Sequence, residues 1–316
     1  MLKKIMGLGI AACMLALLST SAMAQNLVEN GSFEEPAADA VAWPGYFGSD
    51  AVTGWTREGN NGGLNNNLSG PNDSDQRNPF FGEGRPIPDG GQVYFIQRTD
   101  PEITLSQDIS GLEEGEHYLF IFYAGIRPNN PGMDLVVTLG GEELVDRQFT
   151  NNSGPLERVE VAFQYDIDTF GENPTLAFTA TYGEDEDADT TMVLDHVQIR
   201  PPQLAADISG PGMVAQGDNI AFNVDLSEVV GDANYQWYYD GVELQGETGA
   251  TLELLDVVIE DSGVYSVEVN DAAGSTTAAF TLVVVEALPL SSVVTMSLLA
   301  LILAGAGFVA VRRVRA

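Results

Sequence analysis

Cysteine and histidine are nearly absent from this chain of 316 residues. The one cysteine, Cys13, lies in an apolar N-terminal run, and the two histidines are His117 and His196. Beyond that run, cysteine nucleophiles, disulfides and thiolate zinc sites are excluded, and so is a histidine-rich metal centre. No G-x-S-x-G elbow, phosphate-binding loop or dinucleotide fingerprint occurs. We therefore expect a protein that is not an enzyme, although a carboxylate pair for glycoside hydrolysis stays open in so acidic a chain.

Positive charge is scarce outside the two ends of the chain. There are 46 acidic and 13 basic residues; five of the basic ones lie at the ends and the other eight are all arginine, so the intervening body has a formal charge of −38. No basic residue occurs between Pro201 and Val311. Nucleic acid is excluded as a partner, because phosphate binding needs a positive face. One interpretation is an adaptation to a salty habitat, in which repulsion between negatively charged molecules keeps the protein soluble. The alternative is an ordinary solvated acidic surface with no such role.

The N-terminus has the layout of a secretory signal peptide. Two lysines precede an apolar run over residues 5–18, and a stretch of small residues ends at Ala24. Residues 1–24 are therefore predicted to be a signal peptide, so the rest of the chain is expected to be exported. The stretch IAAC, which ends at Cys13, also fits a lipoprotein-type cleavage box, and this alternative stays open.

The C-terminus has the layout of a membrane anchor. Residues 287–311 carry no charge, and they contain an apolar run of roughly 19 residues, which is about the length that crosses a bilayer. Three arginines follow within the last five residues. We predict a transmembrane helix over 288–311 and a cytoplasmic basic tail over 312–316, which leaves the body outside the cytoplasm at the cell envelope. A buried core helix is the alternative.

The body between the two ends consists of short apolar stretches separated by Gly, Pro, Asn and Asp. Segments such as HYLFIFYAGI, RVEVAFQYDI and NYQWYYDGVEL each have the composition of a strand. Many short strands with turn signals between them predict an all-β protein made of sandwiches or jelly rolls. The sequence RPPQ at 200–203 separates a first domain over 26–200 from a second domain over 203–286.

The second domain has two signals of a particular sandwich. Trp237 lies in a strand that an Asp-Gly turn follows, which predicts a hairpin. The later stretch EDSGVYSVEV contains a D-x-G-x-Y pattern ending at Tyr265. Residues 203–286 thus resemble bacterial immunoglobulin-like (Ig-like) domains, with Tyr265 in the tyrosine corner and Trp237 as the core tryptophan. The resemblance places Val224 and Val267 at the two cysteine positions, where apolar packing would replace the disulfide.

The first domain has an ordered series of degenerate motifs. NGSFEEP, GW, PDGGQVYFIQ, LSQDISGLEEGEHYLFIFYAG and VLDHVQI follow one another in this order. Residues 26–200 therefore resemble the galactose-binding-like jelly roll of the family 4/9 carbohydrate-binding modules. This resemblance implies a sandwich that binds a glycan without catalysis, and it implies that the N-terminal strand lies beside the last strand.

The same resemblance implies a structural calcium ion held by carboxylates of those two strands. Glu34 and Asp195 are the candidate ligands, with carbonyl oxygens from turns such as 89–90. In this interpretation Phe33 anchors the first strand in the core and Glu34 stands at its end. The alternative is a surface charge at Glu34 and a strand cap at Asp195. The stretch GEDEDADTT, 183–191, is a rival calcium loop, but it departs from the loop motif and is expected to be an exposed acidic hairpin turn.

Aromatic side chains are the candidate sugar contacts, because carbohydrate sites stack sugars on exposed rings. In YLFIFYAGIR, strand alternation separates a set that begins at Tyr118 from Tyr123 and Arg127 on the opposite face. The jelly-roll resemblance puts the first set in the core. Tyr123 and Arg127 are therefore candidate ligand-binding residues, and Trp55 and Tyr94 are further candidates. Core packing is the alternative for each aromatic residue.

These features predict an exported, membrane-anchored bacterial surface protein. The jelly roll would bind a glycan or extracellular matrix component, and the Ig-like domain would be a spacer. The alternative is a structural adhesion protein that binds protein partners and has no sugar site. The C-terminal tail resembles the PEP-CTERM and LPXTG sorting signals, which implies a sorting peptidase as a partner. However, ALPLSS at 287–292 departs from both signals, so plain membrane anchorage stays open.

Overall fold

The computed structural model describes residues 25–36, 46–47, 52–59, 62–66, 86–97, 102–128, 130–150, 154–181 and 190–286. Their secondary structure is almost entirely strand, which confirms the predicted all-β class. The predicted signal peptide, transmembrane helix and basic tail lie outside the described residues, as does most of the acidic stretch 183–191. In the part of the chain that is described, no helix has the length and apolar character needed to cross a membrane.

The chain divides into two compact units between Gln203 and Leu204. The first unit contains eleven described strands and one short helix. The strands are β1 (Tyr46–Phe47), β2 (Thr56–Glu58), β3 (Gly62–Asn66), β4 (Gln92–Gln97), β5 (Glu102–Asp108), β6 (His117–Ile126), β7 (Met133–Leu139), β8 (Glu142–Phe149), β9 (Glu157–Gln164), β10 (Thr175–Thr181) and β11 (Thr191–Arg200). The helix α1 (Ile167–Phe170) connects β9 to β10.

The strands of the first unit form two antiparallel sheets with a shared apolar core. The six-stranded sheet has the order β1-β3-β4-β11-β6-β9, and the five-stranded sheet has the order β2-β5-β10-β7-β8. Neighbours in each sheet are mostly distant in the sequence, as in a jelly roll. Each sheet turns alternate side chains inward, so each has one inner face and one outer face. The unit is therefore a β-sandwich.

Strand β6 shows how the sequence selects the inner face. Its even-numbered side chains, including Phe120 and Phe122, are buried in the shared core. The ring of Phe178 on β10 packs against both, with centroids 5.9 Å from Phe120 and 5.2 Å from Phe122. The predicted assignment of the Tyr118 set to the core is confirmed. Tyr123 consequently lies on the outer face of the six-stranded sheet.

The second unit contains eight described strands in two sheets. The strands are β12 (Ala205–Ser209), β13 (Met213–Ala215), β14 (Ile220–Ser227), β15 (Asn234–Tyr239), β16 (Val242–Glu243), β17 (Thr251–Leu254), β18 (Gly263–Asn270) and β19 (Ser275–Val285). The sheet orders are β12-β14-β17 and β13-β19-β18-β15-β16. The predicted hairpin is present, since Asp240 and Gly241 both have positive φ angles and connect β15 to β16.

The core of the second unit is built around Trp237. Its side chain has no exposed area, and its indole N–H donates to the carbonyl of Gly249 at 2.9 Å. The Tyr265 hydroxyl donates to the Asp261 carbonyl four residues upstream, as the predicted tyrosine corner requires. Val224 was predicted to occupy one cysteine position and to pack on Trp237, but it is only partly buried, at the margin of the core. The fully buried residue of β14 that stacks on Trp237 is Phe222.

Candidate functional site

The segment that begins at Asn26 lies along β11, but it forms a turn and not the predicted strand. The Asn26 side chain accepts a hydrogen bond from Ile199 N–H and donates one to the Val197 carbonyl, both at 3.0 Å. Gly31 approaches β11 so closely that a Cβ there would lie 2.0 Å from the Val197 oxygen. Phe33 has a φ of 56°, a turn conformation, so the chain reverses here.

Phe33 anchors this turn in the core, as predicted, and it does so between two rings that were candidate sugar contacts. Its centroid is 5.4 Å from the ring centroids of Trp55 and Tyr94. Trp55 is 6% exposed and Tyr94 is 1% exposed. The Trp55 N–H donates to the Asn30 carbonyl, and burial raises the pKa of Tyr94 above its ordinary value. Both rings therefore stabilise the core and present no face on which a sugar could stack.

The predicted calcium ligands Glu34 and Asp195 meet at one turn. The Glu34 carboxylate accepts hydrogen bonds from the backbone N–H groups of Gly91 and Gln92, both at 2.8 Å. The Asp195 carboxylate accepts one from the N–H of Asp89 at 3.0 Å. The two carboxylates thus hold the Asp-Gly-Gly turn from two directions. The sequence predicted that carbonyl oxygens of this turn would bind a cation. Instead, the backbone N–H groups of the turn donate hydrogen bonds to the two carboxylates.

The Asp195 carboxyl group is fully buried, which makes its negative charge expensive to maintain. Burial raises its pKa to about 8; the nearby charges of Asp89 and Glu34 raise it as well, while the hydrogen bonds from the backbone of Asp89 and His196 lower it. A cation bound beside this group would favour its ionised form.

The oxygen atoms around the turn are of the type that calcium binds, but they are fewer than calcium usually needs. Calcium takes six to eight oxygen ligands. Gln92 supplies one further oxygen: its Oε1 is buried without a hydrogen-bond partner, while its amide nitrogen donates to the carbonyls of Phe33 and Pro36. Among the residues that the structure describes, no group of three or more acidic, histidine or cysteine side chains is placed to hold a metal.

Tyr123 and His196 form an aromatic pair on the outer face of the six-stranded sheet. Their ring centroids are 5.6 Å apart and the planes are nearly perpendicular. A β-bulge between Asp195 and Gln198, with His196 at a φ of 52°, aims the histidine at Tyr123. The His196 Nδ1 atom is 3.2 Å from the Asp89 carboxylate, an ion pair when the ring is protonated. Tyr123 is half-buried, so part of its ring is open to a ligand.

An apolar layer supports Tyr123 from the neighbouring strands. Tyr123 and Ile87 pack against a small buried cluster on the outer face, formed by Val93, Phe95, Leu156 and Val193. On β9 the residue paired with Tyr123 is Arg158, and on β11 it is Asp195. Arg127, the other predicted ligand residue of β6, follows the end of this strand and is half-buried. The ring is therefore held by apolar neighbours and surrounded by polar groups, as in many ligand sites.

A concave site adjoins the aromatic pair. It has a volume of about 200 Å³, and its polar lining comes from Asn26, Asn30, Ser32, Asp89, His196 and Gln198. This volume is below the roughly 300–1,000 Å³ typical of sites for drug-sized molecules, so the site suits a single sugar ring or a small polar group. His196 is shared between the concave site and the pair with Tyr123.

The sequence indicated only part of this arrangement. Tyr123 and Arg127 lie on one outer face as predicted, and Asp195 borders Tyr123 on the next strand. His196 was not among the predicted site residues, because nothing in VLDHVQI marks the bulge that redirects it. The lining contributed by the N-terminal turn has one signal in the sequence, the Asn-Gly pair at 30–31, which indicates a turn.

No protein-family model matches the chain, and neither does any curated protein. Among solved structures, a family 61 carbohydrate-binding module in complex with β-1,4-galactotriose has 17% identity and a TM-score of 0.34, covering 56% of this chain and 98% of that one. A xylan-binding CBM22 domain from Paenibacillus barcinonensis has 17% identity and a TM-score of 0.30, covering 49% and 90%. The PKD domain of human KIAA0319 has 16% identity and a TM-score of 0.24, covering 28% and 87%. Similarities at this level identify no ligand for this chain.

Proposed function

We propose that the first unit binds a glycan on the outer face of its six-stranded sheet, centred on Tyr123, and that it does so without catalysis. The observation that supports this most is the half-open Tyr123 ring beside His196 and the 200 Å³ concave site. A sugar ring packs its C–H face on an aromatic ring, while neighbouring polar groups bond its hydroxyls. The concave site then receives one sugar unit or substituent at the edge of the sheet.

In this proposal the protein is exported and works at the cell envelope. The signal peptide over 1–24 directs export and the apolar segment 288–311 anchors the chain. The Ig-like unit is the spacer that separates the first unit from this anchor. The support is the sequence of the two ends, which has the charge and length pattern of these segments. Recovery of the full chain in the soluble fraction of its native cells would contradict anchorage.

Removing the Tyr123 ring is the direct test of the glycan site. The full chain, purified in detergent, is applied to a glycan array, and affinity for the strongest ligand is then measured by calorimetry. Tyr123→Ala is expected to weaken binding by about tenfold or more, because central aromatic contacts typically contribute about 2 kcal/mol. Tyr123→Phe should retain most of the affinity, since the stacking ring remains.

The matched control is Tyr238→Ala, which removes a half-buried tyrosine from the outer face of β15 in the second unit. It should bind glycan like the unchanged chain. Equal affinity of Tyr123→Ala and the unchanged chain would show that the sugar does not lie on this ring.

We also propose that calcium binds at the turn held by Glu34 and Asp195. The support is the two carboxylates that meet at this turn, one of them buried, together with an unpartnered Gln92 oxygen. Calcium would supply positive charge that stabilises the carboxylates, and Glu34 and Asp195 would continue to hold the turn. A ligand that binds only the folded state at 100 times its Kd stabilises it by about 2.7 kcal/mol.

The thermal midpoint of the full chain should therefore rise when calcium is added after EDTA treatment. Asp195→Asn should abolish this increase, whatever its effect on the metal-free protein. Asp207→Asn is the control, because Asp207 in β12 also accepts a backbone N–H but lies in the other unit. An unchanged midpoint on adding calcium to the unmodified chain would refute the metal site.

A second candidate function is adhesion to a protein through the Ig-like unit. One face of its five-stranded sheet exposes apolar side chains at Met213, Val264, Val283 and Val285, and the neighbouring outward positions of β19 carry Thr and Ala. An uncharged area of this kind is unusual in a unit that has no basic residue and many acidic ones. Failure of the unmodified chain to bind any glycan on the array would favour this function.

A further inference from the structure

The two outer faces of the first unit differ in charge. The outward positions described on the six-stranded sheet, together with the residue that follows β6, carry three arginines, two acidic residues and both histidines of the chain: Arg127, Arg158, Arg200, Glu160, Asp195, His117 and His196. With the histidines neutral and both acids ionised, this face has a formal charge of +1. It is the face on which Tyr123 lies.

The outer face of the five-stranded sheet is purely acidic among the described positions. Its strands turn six acidic side chains and no basic one outward: Glu58, Glu102, Asp108, Asp134, Glu143 and Asp146. The formal charge of this face is −6. Of the five arginines that the structure describes, three thus lie on the side of the sandwich that holds the candidate site.

Among the described arginines, Arg158 lies closest to Tyr123 along the sheet. It is the register partner of Tyr123 on the adjacent strand β9, so the two side chains are neighbours on the outer face. Its side chain is 44% exposed and forms an ion pair with Glu160, which keeps the guanidinium on this face. Across Tyr123, the His196 ring packs against the tyrosine with the two centroids 5.6 Å apart. A ligand on the Tyr123 ring therefore has the Arg158 guanidinium on one side and the His196 imidazole on the other.

The large negative charge of the body does not prevent an anion from binding here. Charges are screened over about 8 Å at physiological ionic strength, whereas the two sheets of a sandwich pack about 10 Å apart before the outward side chains on both sides are added. The acidic face on the far side of the sandwich lies beyond this screening length. The charges nearest Tyr123 consequently decide where an anion is attracted: Arg158 lies on the β9 side of the ring, whereas the carboxylates of Asp195 and Asp89 lie on its β11 side.

We propose that the glycan is acidic, a polysaccharide whose sugars carry carboxylate or sulfate groups. This inference rests on the proposed glycan-binding function. The sugar ring lies on Tyr123, and its acidic substituent accepts hydrogen bonds from the Arg158 guanidinium, whose planar donors match a carboxylate or sulfate. Arg127 and Arg200 extend the positive charge towards the two ends of the face.

The test compares glycans that differ only in charge. Polygalacturonate is paired with its fully methyl-esterified form, and dextran sulfate with unsulfated dextran, and each is titrated into the full chain in detergent. At least one charged member should bind about tenfold or more tightly than its neutral partner, as expected for a hydrogen-bonded ion contact. Arg158→Gln should remove most of that preference, and Glu160→Gln should increase affinity for the charged member.

Arg147→Gln is the matched control, because it removes the same charge and also breaks an ion pair. Arg147 lies on the inward side of β8 in the other sheet, where it contacts the ring of Phe149 and the Glu157 carboxylate of β9. It should leave the charge preference unchanged. Equal or tighter binding of the neutral glycans, or an identical effect of both arginine substitutions, would overturn the acidic-glycan inference while leaving the glycan site intact. Failure to bind any charged or neutral glycan would refute both.

Discussion

Replacing Trp237 with alanine is expected to unfold the Ig-like unit. The side chain is completely buried, its N–H bonds to Gly249, and the ring of Phe222 lies 6.5 Å away. Truncating a buried tryptophan costs about 3–5 kcal/mol, and an entire small domain is stable by only about 5–15 kcal/mol. This unit contains no cysteine, so no disulfide limits the unfolded state when the core is damaged.

Hydrogen exchange measured by mass spectrometry on the full chain checks this prediction, because it reports the two units separately. Peptides from residues 204–286 should lose their protection in Trp237→Ala, whereas peptides from the first unit should keep it. Tyr238→Ala, at the adjacent outward position, should leave protection nearly unchanged. Native-like protection of β14 and β18 in Trp237→Ala would show that the core does not depend on the indole.

Replacing Phe33 with alanine is expected to destabilise the first unit by about 3–5 kcal/mol, the usual cost of removing a fully buried phenylalanine ring. The ring has no exposed area and lies between Trp55 and Tyr94. Its loss would open a cavity under the N-terminal turn. Glu34, the next residue, would then hold the turn at Gly91 less firmly, so the damage should spread to the candidate calcium site.

Urea unfolding of the full chain, followed by tryptophan fluorescence, measures this effect because Trp55 is a direct neighbour of Phe33. The transition of the first unit should shift to lower urea in Phe33→Ala. Phe33→Leu is the matched variant, since it keeps much of the buried volume and should have a clearly smaller effect. A loss below about 1 kcal/mol in Phe33→Ala would mean that the turn is held mainly by its hydrogen bonds.

Local signals in the sequence were sufficient for the fold of each unit. In β6 the alternation of large apolar residues has a period of two, and only one side of a two-sheet sandwich can accept the Phe120 and Phe122 rings. The D-x-G-x-Y pattern identified the corner at Tyr265 because that hydroxyl bonds to a carbonyl only four residues away. Structural features that depend only on residues close in the sequence can therefore be predicted from the sequence.

The same signals were insufficient for the candidate site. Trp55 and Tyr94 have the composition of sugar-binding residues, but their burial depends on Phe33, which approaches them only after the N-terminal turn has docked on β11. Phe222 and Val224 lie two residues apart on one strand, so alternation alone could not decide which of them packs on Trp237.

By itself, the sequence determined the all-β class, the excess of negative charge, the inner face of β6 and the geometry of short turns such as 240–241. Only the tertiary structure decided that His196 faces Tyr123, that Glu34 and Asp195 hold one turn, and that positive charge collects on one face of the sandwich. The physical reason is distance along the chain. Periodicity and turn chemistry act over a few residues, whereas these contacts join strands whose residues are tens of positions apart and whose register is set by the whole core.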